Sequence, residues 1–354
     1  PFVNVGGLAD VLGTLPKHLV KYDIQPVLIL PLYKKIDREK YGIVKIEDAK
    51  IHLPRLNIYS DDSNNCAYDD ISLYKGNIPY TDIPVIFINY PKYFARDGIY
   101  TNPINGKSYD DEAERFISFS KAIVETIKVL DLKPDIVHCN DFHTALVVHF
   151  IKESLWESNY FKSTACIFSI HNLAFQGIYD PEVLNFIGIT QDQFYPGSPY
   201  EFYNKVNFMK IAIIAADAIT TVSPSYSKEI QTPEFGFKME GLLSYYNYKL
   251  YGIINGVDYT IWNPENDPYL SNHFDAINKS GKKELKAKLL YRFGLPANRI
   301  EYPLIGMISR LSGQKGYDLL MEISDELMSM DVSLIVLGTG EESYEEFLKN
   351  YQQK

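Results

Sequence analysis

Three consecutive segments decide the fold: Asp135-Ile136-Val137-His138-Cys139, a helical period from Thr144 to Trp156, and Ala165-Cys166-Ile167-Phe168-Ser169-Ile170. The first and third are continuous apolar runs, as expected for strands that are covered on both faces of a parallel sheet. A strand, a helix and a strand at this spacing form a βαβ unit. The sequence therefore predicts an α/β protein with a doubly wound sheet.

The same alternation extends in both directions along the chain. Further strands are predicted at Val27–Leu30, Val85–Ile88, Ala218–Val222, Leu304–Ile308 and Val332–Leu337. The pattern is interrupted by polar, turn-rich sequence before a second α/β series begins. We therefore predict two Rossmann-like domains, 1–247 without its first strand and an incomplete 248–354, and expect the chain to be truncated at both ends.

Composition and charge exclude several classes of protein. The 354 residues include 35 Lys and Arg against 45 Asp and Glu, a formal net charge of -10. This balance argues against nucleic-acid or anionic-membrane partners, because both need clustered cations. No apolar run approaches the roughly 18 residues of a membrane helix. Three cysteines at no metal-like spacing indicate a reducing cytosol rather than a disulfide scaffold or zinc site.

Polar clusters follow two consecutive strands of the predicted sheet. One is His138-Cys139-Asn140-Asp141-Phe142-His143, and the other begins at His171-Asn172 and ends at Gln176-Gly177. The carboxyl ends of parallel strands are where α/β proteins bind ligands. Asp141 is equally suited to cap the following helix, and a lone His at a strand end is commonly structural. Two polar clusters at one sheet edge favour a ligand-binding site over purely structural roles.

Two further loops carry groups suited to anions. Gly6-Gly7 precedes a helical pattern, where glycine lets backbone N–H groups approach a ligand. Arg310 and Lys315 lie on a glycine-bearing loop between a strand and a helix, a placement that could clamp a diphosphate. An ordinary turn and a solvated basic loop are the alternatives for these two segments.

Taken together, the motifs resemble those of bacterial glycogen synthase and plant starch synthase along almost the whole chain. The matching segments are Gly6–Val11, Asp141–His143, His171–Gly177, Asn255–Asp258 with Trp262–Pro264, and Ser309–Leu311 with Gln314–Gly316. The resemblance implies a GT-B fold, two Rossmann-like domains facing across a cleft. It also implies retaining transfer of glucose from ADP-glucose to the non-reducing end of an α-1,4-glucan, glycogen or a maltooligosaccharide, in the cytoplasm, or in a plastid if the source is a plant.

The resemblance also implies roles for individual residues. Asp141, His171, Arg310 and Lys315 are the predicted catalytic residues, the first two at the glucose and the cations at the leaving diphosphate. The predicted substrate-binding residues share a place in the implied cleft: Asn4, Gly6, Gly7, Asp10, Tyr100, Asn172 and Asn255. We assign Phe142, His143 and His149 to packing. No Asp-x-Asp motif is present, so neither a metal nor another cofactor is predicted.

The sequence departs from the family in two respects, and three other functions are considered. The family has Lys where this chain has Asn4, and its later glutamate and glycine-rich loop lie beyond Lys354. Another retaining GT-B transferase, of the sucrose or trehalose-phosphate type, is one alternative. A non-catalytic glucan-binding relative is another. A dinucleotide-dependent dehydrogenase is disfavoured because no Gly-x-Gly-x-x-Gly follows a strand. The oligomeric state is not predicted.

Overall fold

A computed structural model describes residues 2–3, 6–56, 68–103, 106–154 and 159–352. The chain divides into two compact units, Pro1–Gly256 and Val257–Lys354. This division lies later than the predicted boundary after residue 247. The reason is that the strand Leu250–Gly252 pairs with Ala218–Thr221 and so completes the sheet of the first unit.

The strands and helices are numbered in chain order. The strands are β1 Leu28–Pro31, β2 Val44–Pro54, β3 Tyr68–Asn77, β4 Pro84–Asn89, β5 Ile136–Asn140, β6 Ala165–Ile170, β7 Ile178–Tyr179, β8 Val206–Asn207, β9 Ala218–Thr221, β10 Leu250–Gly252, β11 Leu304–Ile308 and β12 Ser333–Leu337. The α-helices are α1 Gly7–Leu19, α2 Pro91–Phe94, α3 Glu112–Val129, α4 Phe142–Ser154, α5 Phe208–Ala215, α6 Pro224–Glu229, α7 Glu240–Tyr245, α8 Ser280–Arg292, α9 Tyr317–Ser329 and α10 Glu342–Gln352.

A four-stranded parallel sheet in the order β10-β9-β6-β5 positions the candidate site. Strand β6 lies between β5 and β9, and its residues Cys166, Phe168 and Ile170 are fully buried. Helix α4 packs against β5 and β6, and also against α3 and α5. The carboxyl ends of all four strands therefore meet at one edge, as the apolar runs predict.

The second sheet of the first unit is mixed, in the order β1-β4-β3-β2. Strands β1 and β4 are parallel, whereas β3 is antiparallel to both β4 and β2. The hairpin β2–β3 was not among the predicted strands. Its buried residues Ala49, Ile51 and Leu53 alternate with exposed Lys50 and His52, which is the pattern of a sheet with one solvated face.

The second unit is built on one parallel pair, β11 and β12. Its core consists of Leu311, Tyr317 and Leu320, supplied by the loop after β11 and by α9. Leu311 also forms a parallel bridge with Gly340, which fixes the loop after β11 beside the loop after β12. Of the helices in the part of the chain that the structure describes, none combines the length and apolarity needed to cross a membrane.

Candidate active site

Asp141 occupies the turn between β5 and α4. Its backbone has φ 55°, a left-handed conformation that Asp tolerates better than most residues. Its N–H donates to the carbonyl oxygen of Ser169 on β6, at 2.9 Å. The turn is thereby tied to the neighbouring strand, and the carboxylate lies at the carboxyl edge of the sheet.

The structure brings Asp141 and His171 into direct contact. The backbone N–H of His171 donates to Asp141 Oδ1 at 2.8 Å, and the backbone N–H of Asn172 also donates to this carboxylate. Asp141 contacts α4 through its backbone carbonyl oxygen, which accepts a hydrogen bond from the N–H of Thr144 at 3.2 Å. The side chain is therefore bonded to the loop after β6, across the sheet edge.

The imidazole of His171 is held by Asn140, the last residue of β5. His171 Nε2 lies 2.9 Å from Asn140 Oδ1. Because an amide oxygen only accepts, Nε2 carries the proton and Nδ1 is the unprotonated nitrogen of the neutral ring. Burial lowers the pKa of His171, so the ring is neutral at pH 7.

Burial shifts the pKa of Asp141 in the opposite direction. It raises the pKa of Asp141 to about 6, against the lowering effect of the backbone N–H groups of His171 and Asn172. At pH 7 the carboxyl group is therefore mostly ionised. The site combines one desolvated negative charge with a neutral imidazole, an arrangement suited to a substrate that develops positive charge.

Tyr226 is a neighbour of this pair to which sequence reasoning gave no role. Its hydroxyl accepts from the backbone N–H of Leu173, at 3.2 Å. Its pKa is raised mainly by burial and also by the negative charge of Asp141. The available signal was the segment Ser223–Tyr226, which follows β9 at the same sheet edge. Asn140 could likewise have been suspected from its place directly before Asp141.

Gly177 closes the segment that begins at His171. Its φ is 64°, and a Cβ atom there would lie 2.6 Å from Cδ2 of Phe142. Only glycine allows the backbone to approach α4 this closely. The preceding Gln176 is buried, donates to the carbonyl oxygen of Phe237 at 3.1 Å, and accepts from Asn207 Nδ2 at 2.6 Å. The loop carrying His171 is thus anchored at its far end.

Tyr100 lies beside His143, with ring centroids 5.3 Å apart. The His143 ring also contacts Phe116 and Phe142. Burial, with the nearby charge of Arg115, lowers the pKa of His143 to about 3. His143 is therefore a neutral ring that packs against Tyr100, two residues after Asp141 in the chain.

The other predicted residues of the first unit that the structure describes are exposed, at the start of α1 and after β10. Gly6, Gly7 and Asp10 form the first turn of α1 and the residue before it. Among the residues that the structure describes, none places a heavy atom within 4 Å of a Cβ atom built on either glycine, so packing against them does not require glycine there. Asn255 follows β10 at the carboxyl edge of the parallel sheet. Asn4 lies outside the described residues.

Arg310 and Lys315 belong to the second unit. Both are exposed; Arg310 follows β11, and Lys315 ends the 3₁₀ turn Gly313–Lys315. Among the residues that the structure describes, neither side chain is paired with a carboxylate or another hydrogen-bonding group. Two cations that the protein itself does not neutralise are suited to an anionic ligand.

Comparisons with known proteins place the chain in a family. The model of the starch synthase catalytic domain matches residues 1–245. Glycogen synthase of Thermosipho melanesiensis is 39% identical over 354 residues, covering the whole chain and 70% of that relative. That of Pseudothermotoga lettingae is 40% identical over 357 residues, with the same coverage.

A solved structure gives the same result. It is the catalytic domain of starch synthase IV from Arabidopsis thaliana bound to ADP and acarbose, with a TM-score of 0.85 and 29% sequence identity. The match covers the whole of this chain and 69% of that one. The α/β units with parallel sheets and this likeness define a glycosyltransferase of the GT-B type, which confirms the predicted fold class. The chain belongs to the starch synthase catalytic domain family and is a glucosyltransferase of the glycogen and starch synthase kind.

Proposed function

We propose that this glucosyltransferase uses ADP-glucose and elongates an α-1,4-glucan at its non-reducing end with retention of the anomeric configuration. The observation that carries the proposal is the bonding of the Asp141 carboxylate to the backbone of His171 and Asn172 at the carboxyl edge of the sheet. The nucleotide assignment is supported by starch synthase IV, whose structure is bound to ADP and acarbose.

Asp141 is proposed to stabilise the transferred glucose. When the anomeric C–O bond breaks, the bonding electrons leave with the diphosphate and positive charge develops on the sugar ring. A desolvated carboxylate opposes that charge more effectively than a solvated one. The unprotonated Nδ1 of His171 is available to accept a hydrogen bond from a glucose hydroxyl. Asn172 and Tyr100 are proposed to contact the sugars from the same edge.

Arg310 and Lys315 are proposed to stabilise the leaving diphosphate. Negative charge on that group grows as the C–O bond breaks. A fixed hydrogen-bond donor aimed at this charge lowers the activation free energy by about 3 kcal/mol. Their exposure and lack of an internal partner leave them available for this role. The backbone of Gly6-Gly7 is proposed to contact the same anion, and Asp10, Asn255 and Asn4 to bind other parts of the substrates.

The donor assignment is tested by steady-state kinetics with maltoheptaose as acceptor and either ADP-glucose or UDP-glucose as donor. We expect kcat/KM to be higher for ADP-glucose. Equal or reversed preference would reject that donor, and binding of glucan without transfer from either would favour a glucan-binding protein.

We also propose the cytoplasm as the place of action, because Cys139 and Cys166 are free thiols that fit a reducing compartment.

A further inference from the structure

Arg115, in the first turn of α3, is a buried cation for which the described residues supply no ion-pair partner. It is 1% exposed, and its Nε and Nη2 atoms have no hydrogen-bond partner among those residues. Asp111, four residues earlier, accepts from Arg96 at both carboxylate oxygens instead. Burying an unpaired charge with unsatisfied N–H groups costs free energy of folding. Fold stability alone therefore does not account for arginine at this position.

The hydrogen bond that Arg115 does form leads to Tyr100. Arg115 Nη1 donates to the backbone carbonyl oxygen of Ile99 at 2.7 Å. Ile99 directly precedes Tyr100 in the segment between α2 and α3, residues 95–111, which we call the Tyr100 loop; residues 104 and 105 of this loop lie outside the described residues. Because Arg115 is buried in α3, this bond ties the backbone beside Tyr100 to a helix of the core.

Other hydrogen bonds hold the ends and the tip of the Tyr100 loop. The bonds from Arg96 to Asp111 join its two ends. Near the tip, the N–H of Asn102 donates to the carbonyl oxygen of Lys107 at 2.8 Å. These contacts close the loop on itself. The bond from Arg115 differs because it fixes the part that carries Tyr100 against α3.

Aromatic packing gives Arg115 a second connection to Tyr100. The Arg115 guanidinium carbon lies 5.1 Å from the centroid of the Phe116 ring. The His143 ring contacts both Phe116 and Tyr100, at centroid distances of 4.7 and 5.3 Å. Burial, with the charge of Arg115, lowers the pKa of His143 to about 3. Tyr100 therefore packs against a neutral imidazole that lies two residues after Asp141 in the chain.

We propose that Arg115 is a positioning residue, which holds the backbone of the Tyr100 loop so that the Tyr100 ring can contact the substrate sugars. The inference rests on the proposed function, in which Tyr100 has that contact. A guanidinium suits this task because its donors have a fixed planar geometry and its hydrogen bonds to a carbonyl oxygen are charge-assisted. The buried charge lowers stability and is retained for activity.

The first test compares Arg115→Met with Arg115→Lys in glucose transfer from ADP-glucose to maltoheptaose. Met has similar bulk but no charge or donor, so kcat/KM should fall about tenfold, the effect of one lost charge-assisted hydrogen bond. Its melting temperature should equal or exceed that of the parent. Lys keeps a cation that can donate to Ile99 and should retain more activity than Met. A residue needed only for packing would give the reverse order, because Met suits apolar surroundings better than a lone ammonium group.

The matched control is Lys121→Met. It removes another cation from α3, whose Nζ lies 5.7 Å from the centroid of the Phe150 ring on α4. This variant should have the kcat/KM of the parent. Equal losses in Lys121→Met and Arg115→Met would overturn the proposal, since they would reflect a change of charge in the helix and not the bond to Ile99.

A double-mutant cycle tests whether Arg115 acts through Tyr100. The variant that combines Arg115→Met with Tyr100→Ala should be as active as Tyr100→Ala alone, because the ring to be positioned is already absent. Losses that multiply in the double variant would overturn the proposal, as would parent-like kcat/KM in Arg115→Met. Failure of Arg115→Met to fold would assign Arg115 to the core and overturn it as well.

Hydrogen exchange gives a readout that does not depend on activity. The N–H groups of Asn102 and Gly106 donate to carbonyl oxygens within the Tyr100 loop, and both should exchange faster in Arg115→Met than in the parent. Faster exchange in this variant with no transfer by the parent would reject the proposed function and retain the anchoring of the loop. Transfer by the parent with unchanged exchange in the variant would retain the function and overturn the role of Arg115.

Discussion

Replacing the Asp141 carboxylate by an amide should stabilise the fold and abolish most of the activity. Burial raises the pKa of Asp141 from 3.8 to about 6, so the folded protein binds this proton more tightly than the unfolded chain. Stability from this group is complete below pH 4 and is lost as pH rises through 6. The loss amounts to at most about 3 kcal/mol at pH 8, and less to the extent that solvent screens the half-buried group.

Asp141→Asn removes that loss without disturbing the turn, because Asn tolerates a positive φ and its oxygen still accepts from the N–H of His171. We expect the melting temperature of the first unit to rise by about 5–10 °C at pH 8. At pH 5 the gain should be about half as large in free energy. The same variant should lower kcat by about 10²–10³-fold, because the carboxylate opposes charge that develops only in the transition state.

The assays are differential scanning calorimetry at pH 5 and 8 and glucose transfer to maltoheptaose at pH 8. Asp217→Asn is the matched control. Burial alone would raise the pKa of Asp217, but hydrogen bonds from Lys152 and the N–H of Cys166 lower it. Its stabilisation is present above pH 4 and lost as pH falls, so this variant should be slightly less stable at pH 8 and have parent-like kcat. An Asp141→Asn protein that is less stable at pH 8 than the parent, or that retains kcat, would refute the reasoning.

Three further substitutions test other parts of the molecule. Arg310→Ala should lower kcat about 10²-fold or more with unchanged melting temperature, because Arg310 is exposed and unpaired among the described residues; exposed Arg292→Ala is the control, and parent-like kcat in Arg310→Ala would remove the residue from the mechanism. Gly177→Ala should cost about 2–4 kcal/mol in urea unfolding, because its Cβ would meet Phe142 at 2.6 Å. Gly188→Ala, at φ 80° with no atom within 4 Å, should cost only about 1 kcal/mol, and equal costs would contradict the steric argument. Asn4→Lys should raise kcat/KM about tenfold if a charged hydrogen bond to phosphate is regained, and no gain would mean that this position has no place for the cation.

Strand β6 of the parallel sheet was predictable from the sequence because none of its residues is exposed, so that the segment is a continuous apolar run. Ala165–Ile170 has the predicted bounds of β6, and β9, Ala218–Thr221, lies within the predicted strand Ala218–Val222. The β2–β3 hairpin is not predicted, because Ala49, Ile51 and Leu53 alternate with polar residues and so form no continuous apolar run. The division after Gly256 depends on the pairing of β10 with β9, a contact between distant segments that local patterns do not encode.

The site was predictable in its location but not in its bonding. Asp141 and His171 each follow an apolar strand, which is sufficient to place them at one sheet edge. The hydrogen bond from the backbone of His171 to Asp141 requires the left-handed turn at Asp141. The tautomer of His171 depends on Asn140, and the raised pKa of Asp141 depends on burial by the whole fold. These features arise from three-dimensional packing and have no signature in residue spacing.

The most direct test of the account is ¹H NMR analysis of the product formed from ADP-glucose and maltoheptaose. The account predicts one added glucose in α-1,4 linkage at the non-reducing end, formed by the parent chain and reduced about 10²–10³-fold in Asp141→Asn. A β-linked product, release of free glucose, or equal product from the parent and Asp141→Asn would contradict it.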